Sequence, residues 1–457
     1  MDMNTEIHAV RSRRGFSRRA FVAAAAAGCA TLPAALAVAC GGAAQAPGAA
    51  PGGGTAAPAM GKVTFAYLGD DVVDKIYNDL ADEAEKANPG LKVERYHTAK
   101  APGTGSHMEK VEALISAGSP PDIAWLSTGF HVAYGAKGAA LALDPFMQKD
   151  KTFNLDDWYP GATDGFKFTG KTYGLPRELN MAVVYYNQTH FEKAGLQPPK
   201  DGWTWDDFLD TAKKLTRGAP GQADAQYGFG LFPAWWRIYP WMWQNGGDAW
   251  SKDGLHLTLD QAPAADAVQW VSDLRWKHHV APQPGETSGD DFAHFSQGKV
   301  SMAIENPGYI ARLRTTPDIR WDIAALPKGP VKRANNSLGG GFGVLSATKL
   351  PDAAWALLRT LTGQKGHQLI FESSGWPPPR KSLATLPAMQ TPTNPPKNMK
   401  VFVEESKYLQ APPVSPNWSK AQGELFTQLN AVFDKNERAK DVATRVKDSI
   451  ENILKNG

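Results

Sequence analysis

From Lys62 onward the period of the apolar residues changes repeatedly, and that alternation limits the fold more than any other feature. Val63 to Leu68 reads as a buried strand ending at Gly69-Asp70-Asp71. Val72, Val73, Ile76, Leu80, Ala84 and Ala87 then recur at helical spacing until Asn88-Pro89-Gly90 stops them. Leu91 to Tyr96 alternates as a strand, Met108 to Ser116 is amphipathic, and Ile123 to Leu126 is apolar up to Ser127-Thr128-Gly129. Strand–helix–strand order implies a largely parallel sheet covered by helices, and ligands of such sheets sit outside the carboxyl ends of the strands. Asp70, Asp71, Ser127 and Thr128 therefore fall near a site. For Asp70, capping the following helix is an equally good account.

A second stretch, Lys171 to Leu215, carries an ordered string of signals. Met181 to Tyr186 suits a buried strand, and Thr204 and Asp207 have capping-box spacing before the apolar stripe Phe208, Leu209, Ala212 and Leu215. Tyr173-Gly174-Leu175-Pro176, Tyr185-Tyr186-Asn187, Phe191 to Leu196, Pro198-Pro199 and Thr204 to Asp207 together resemble the bacterial extracellular solute-binding proteins of sugar ABC importers, the maltose-binding-protein-like family. Phe292 to Ile304, Leu338 to Leu345 and Gly375 to Ser382 continue the resemblance, which runs from about Lys62 to the end. It implies an α/β, periplasmic-binding-protein-like fold of type II. Two lobes, each a central sheet flanked by helices, would be joined by a hinge crossed three times and would close on ligand. The expected lobes are 62–176 plus 342–378 and 177–341 plus 379–457.

The resemblance also implies ligand contacts. Glu178 and Asn180 stand at the first crossing, Gly340 at the second, Trp376 and Arg380 at the third. Glu305, Asn306 and Tyr309 follow a buried strand, with an ion pair as the competing role for Glu305, and Trp418 precedes a helix. Independently, Trp203, Trp205, Trp235, Trp236, Trp241, Trp243 and Trp250 crowd into one short region. Trp203 and Trp205 suit core packing. Trp235 and Trp236, in the proline-interrupted Phe232 to Arg237, suit a loop wall on which a sugar ring stacks, and Trp236 is the better single choice. Arg177, Arg237 and Arg380 are the cations placed for a phosphate-bearing ligand.

The N-terminus is expected to be an address. Ser17-Arg18-Arg19-Ala20-Phe21-Val22 resembles a twin-arginine export signal, and Leu36 to Cys40 a lipoprotein processing site, with Cys40 lipidated. An uncleaved membrane anchor is the other reading. Residues 1–39 would be the signal peptide and 40–61, almost wholly Gly, Ala and Pro, a flexible tether. The signal carries five arginines against Asp2 and Glu6, so without it the formal charge falls from +3 to zero. No basic field is left to draw nucleic acid or a membrane surface, and the membrane is met through the lipid alone. Both cysteines, Cys29 and Cys40, lie in this segment, which leaves the folded part without disulfides.

G-x-S-x-G and H-E-x-x-H do not occur, the glycine-rich Leu338 to Leu345 is no nucleotide loop because it lacks G-x-G-x-x-G and a Walker lysine, and the adjacent His278-His279 cannot share a metal from one helix face. The expectation is a monomeric, exported binder without cofactor or metal, whose partners are a carbohydrate and an importer's membrane subunits. A binder of a polyol or glycerophosphodiester, or a secreted glycoside-acting enzyme, remains the alternative.

Overall fold

The computed structural model describes residues 60–99, 105–219, 221–222, 224–286, 291–337 and 339–456. Cys29 and Cys40 lie outside them, as do the export signal and most of the tether.

Two separate sheets organise the described chain. The first has the order Lys92–Ala99, Lys62–Gly69, Ile123–Ser127, Gly340–Val344, Leu175–Pro176. Its first three strands are parallel and Gly340–Val344 runs antiparallel to both neighbours. Parallel neighbours need a crossover, supplied by the helices Asp71–Ala87 and Gly105–Ser116. The former turns Val73, Ile76, Tyr77, Leu80, Ala81 and Ala84 inward, and Gly90, with φ +93°, makes the turn after it. Phe65, Tyr77, Phe342 and Leu357 fill the core of this first lobe.

The second sheet has the order Trp321–Ala324, Val183–Asn187, Val300–Glu305, Tyr227–Gly230. Helices Trp205–Leu215, Trp235–Gln244, Ala262–Trp276, Trp418–Lys435 and Ala439–Asn456 share a core with it around Phe208, Trp241, Trp250, Leu425 and Ile450. Thr204 and Asp207 form the expected reciprocal capping box. Trp203 and Trp205 are buried core residues.

Three segments pass between the sheets. One joins Leu175–Pro176 to Val183–Asn187, and a second joins Asn335–Asn336 to Gly340–Val344. The third follows the helix Gln364–Ser374, whose Ile370 belongs to the first core and Phe371 to a second-lobe cluster with Met399 and Tyr309.

Two local expectations need correction. Trp235 and Trp236 do not lie in a loop but open the helix Trp235–Gln244, which holds Pro240 in its interior. A proline lacks the N–H that would bond the carbonyl four residues back, here that of Trp236. That carbonyl instead accepts from Asn336 Nδ2, so the helix survives its proline through a tertiary partner. His278 and His279 stand beyond the end of the Ala262–Trp276 helix, where His279 has φ +54°.

Candidate functional site

The cleft between the lobes has a volume of about 1590 Å³. That exceeds the roughly 300–1,000 Å³ of pockets for drug-sized ligands.

The first lobe contributes strand ends, as the parallel sheet requires. Asp70 caps the following helix, its Oδ1 accepting from Val73 N at 3.0 Å, and it also lines the cleft. Ser127 and Thr128 line it too, but Thr128 donates N–H and Oγ1–H to the Gly339 carbonyl, at 3.0 and 2.8 Å, and is thereby tied to the hinge. Trp125, one pleat before Ser127, is 4% exposed and lines the same wall, with its Nε1 unpartnered. The strand-end argument that selects Ser127 reaches Trp125 equally.

The hinge forms the floor. Glu178, Asn180, Gly340 and Trp376 all line the cleft, joined by Arg177. The guanidinium of Arg177 pairs with the Glu178 carboxylate and lies 5.7 Å from the Trp125 ring and 5.9 Å from the Trp376 ring. Burial works against its charge, but Glu178 and Tyr77 together more than offset this and hold the guanidinium firmly protonated. The Trp125 indole occupies the space that a side chain at 340 would take, so a glycine is required there.

The second lobe supplies an aromatic wall. Trp235, Trp236, Tyr309 and Trp418 line it with Asn306. Trp235 meets Trp418 edge to face at 5.5 Å, and the Arg237 guanidinium sits 4.4 Å from the Trp236 ring centroid. Arg237 bridges the carboxylates of Asp291 and Glu305, and the Tyr309 hydroxyl donates to Asp291. Burial, with Asp291 adding to it and Arg237 opposing, pushes Glu305 well above the usual carboxylate range.

Two expected contacts fail. Glu305 is 1% exposed and stands behind the wall, away from the cleft, with its carboxyl group bonded to Arg237. Arg380 does not reach the cleft. Its guanidinium lies 4.3 Å from the Trp158 ring and donates to Asp157 at 3.0 Å and to the Thr362 carbonyl at 2.7 Å.

A cleft between two α/β lobes, floored by crossing strands, is the plan of a type II periplasmic binding protein. The chain belongs to the bacterial extracellular solute-binding protein family, whose model matches residues 70–368. Members are the solute-binding components of ABC importers and work outside the cytoplasm. An arabinooligosaccharide-binding protein of Bacillus subtilis is 24% identical over 319 residues, covering 67% of this chain and 71% of its own. The sn-glycerol-3-phosphate-binding periplasmic protein UgpB of Agrobacterium fabrum is 27% identical over 288 residues, 60% of this chain and 62% of its own. In fold, the chain is similar to an ABC substrate-binding protein of Listeria monocytogenes in complex with cycloalternan. The TM-score is 0.75 at 23% identity, covering 87% of this chain and 100% of that one.

Proposed function

We propose that this protein captures a neutral oligosaccharide in the cleft and delivers it to the membrane subunits of an ABC importer, without turning it over. The observation that carries the reading is the aromatic wall of Trp235, Trp236 and Trp418 facing a floor of polar groups. A sugar ring offers C–H groups on its face and hydroxyls at its rim, which flat indoles and carboxylate or amide groups match. The charged residues lining the cleft support a neutral ligand, because Lys167, Arg177, Lys252 and Arg312 are balanced by Asp70, Asp164, Glu178 and Asp253. The relationship to UgpB favours a phosphate-bearing solute as the second reading.

A thermal-shift panel of arabino- and malto-oligosaccharides alongside sn-glycerol 3-phosphate tests this. A saturating oligosaccharide at 100 times its Kd should stabilise by about 2.7 kcal/mol. Trp236→Ala should weaken the best oligosaccharide about fifty- to a hundred-fold, since about 100 Å² of stacked apolar surface gives about 2.5 kcal/mol. No new reducing ends should appear on incubation. A panel in which only the phosphate ester binds would overturn the sugar reading.

The export address is part of the same proposal. Cys40 is read as the lipidated residue, with 40–61 as the tether to the outer face of the membrane. Cys40→Ser should move the protein from the membrane fraction to the soluble exported one, and unchanged membrane retention would refute lipidation at that cysteine.

A further inference from the structure

We infer that Glu178 sets the charge selectivity of the cleft, acting as the built-in counter-ion of Arg177 and thereby excluding anionic solutes that the guanidinium would otherwise bind. The inference rests on reading the cleft as the ligand site and goes beyond it to say why a phosphate ester should be refused. Three observations lead there.

Arg177 is a cation held at the hinge floor with only 13% of its side chain exposed, and it lines the cleft. It lies between Trp125 and Trp376, whose ring centroids are 5.7 and 5.9 Å from its guanidinium carbon. A guanidinium fixed in this way is pre-organised for a phosphate or carboxylate, because little rotamer freedom is left to lose on binding. In a site removed from bulk water its attraction for an anion is also poorly screened.

That attraction is already used. The Glu178 carboxylate, with 2% of its side chain exposed, pairs with Arg177 Nε as the next residue in the chain. A ligand anion would have to approach a neutral pair one of whose members repels it. Desolvated like charges in contact discriminate strongly against the wrong partner.

The second oxygen of Glu178 is left for a hydroxyl. Its Oε1 has a contact of 3.5 Å with Gly340 N, too long to satisfy a buried carboxylate. Gly340 is also where the Trp125 indole fits, and Trp125 Nε1 is a buried donor without a partner. Glu178 Oε1 is thus a weakly satisfied acceptor at the Gly340 floor, which suits a donating hydroxyl, whereas Trp125 Nε1 is buried and not offered to a ligand.

The test is calorimetric titration of sn-glycerol 3-phosphate and of inorganic phosphate into wild type, Glu178→Gln, Glu178→Asp and the double variant Arg177→Gln/Glu178→Gln. Wild type and Glu178→Asp should give no saturable binding. Glu178→Gln should bind the phosphate ester saturably, at least about tenfold more tightly than the weakest binding detectable in the wild-type titration, a change of about 1.4 kcal/mol, and the double variant should lose the gain. Thermal melting and near-ultraviolet circular dichroism report whether each variant folds. Should Glu178→Gln fail to fold, wild type and Glu178→Asp still decide, because phosphate binding by either sinks the inference. A folded Glu178→Gln that gains nothing sinks it as well. Failure of the sugar reading would look different: no neutral oligosaccharide would bind wild type, whatever the variants do with phosphate.

Discussion

At the scale of single residues, the buried polar groups of the hinge hold the most information. His367 lies in the Gln364–Ser374 helix, with Nε2 3.1 Å from the Pro176 carbonyl and Nδ1 accepting from Arg380 Nε at 3.2 Å. One neutral tautomer satisfies both, with the proton on Nε2. Burial first, and then repulsion from Arg380, lowers its pKa from 6.5 to about 3. The unfolded chain takes up a proton at this histidine below about pH 6.5 while the folded one does not. Its share of stability is complete above that pH and drains away as the pH falls towards about 3. His367→Gln, which cannot titrate, should be less stable than wild type at pH 7. The gap should narrow by about 1.4 kcal/mol per pH unit as the solution is acidified below about pH 6.5. Denaturant melts across that range measure it, and a constant gap, or an NMR titration of His367 near 6.5, would contradict the assignment.

At the scale of elements, much was legible because the signals were local. The Thr204–Asp207 box, the Val183–Asn187 strand and the Asp71–Ala87 helix each depend on residues a few places apart, and each forms where its spacing implies, although Val72 and Ala87 of the expected helical stripe are exposed. What could not be read depended on distant partners. Phe232 to Arg237 reads as a broken segment because it holds Pro233, and the helix that opens at Trp235 tolerates its own Pro240 through Asn336, a hundred residues away. Arg380 looks like a third-crossing contact until Asp157, Thr362 and Trp158 are seen to surround it. Trp125 carries no sequence signal for the cleft because a tryptophan inside an apolar strand reads as core, which it also is. The Gly340–Val344 strand offers a test of that double role. In Gly340→Ala the new methyl would collide with the Trp125 indole, an overpacking that costs about 1–3 kcal/mol. Stability should fall by that amount and oligosaccharide affinity should drop with it. A variant as stable and as tight-binding as wild type would mean that the indole is free to move aside.

At the scale of the whole molecule, separate cores joined by three passages are the arrangement in which two lobes would move as units about a hinge. Small-angle scattering should show a smaller radius of gyration when the best oligosaccharide of the panel is added to saturation. An unchanged curve would mean that this cleft binds without closing. The proline of the Trp235–Gln244 helix bears on how that motion is felt. The Trp236 carbonyl is held by Asn336, and Gln244 at the other end of the helix donates to the Ala334 carbonyl at 2.9 Å. Both partners lie on the run of chain that leads directly into the second crossing. The helix proposed to present the stacking surface is thus tied at both ends to the strap that would pivot on closure, so grip and posture would share one mechanical linkage. Random mutagenesis selected only for tighter binding should therefore return changes in the resting angle of the lobes, including some that touch no sugar.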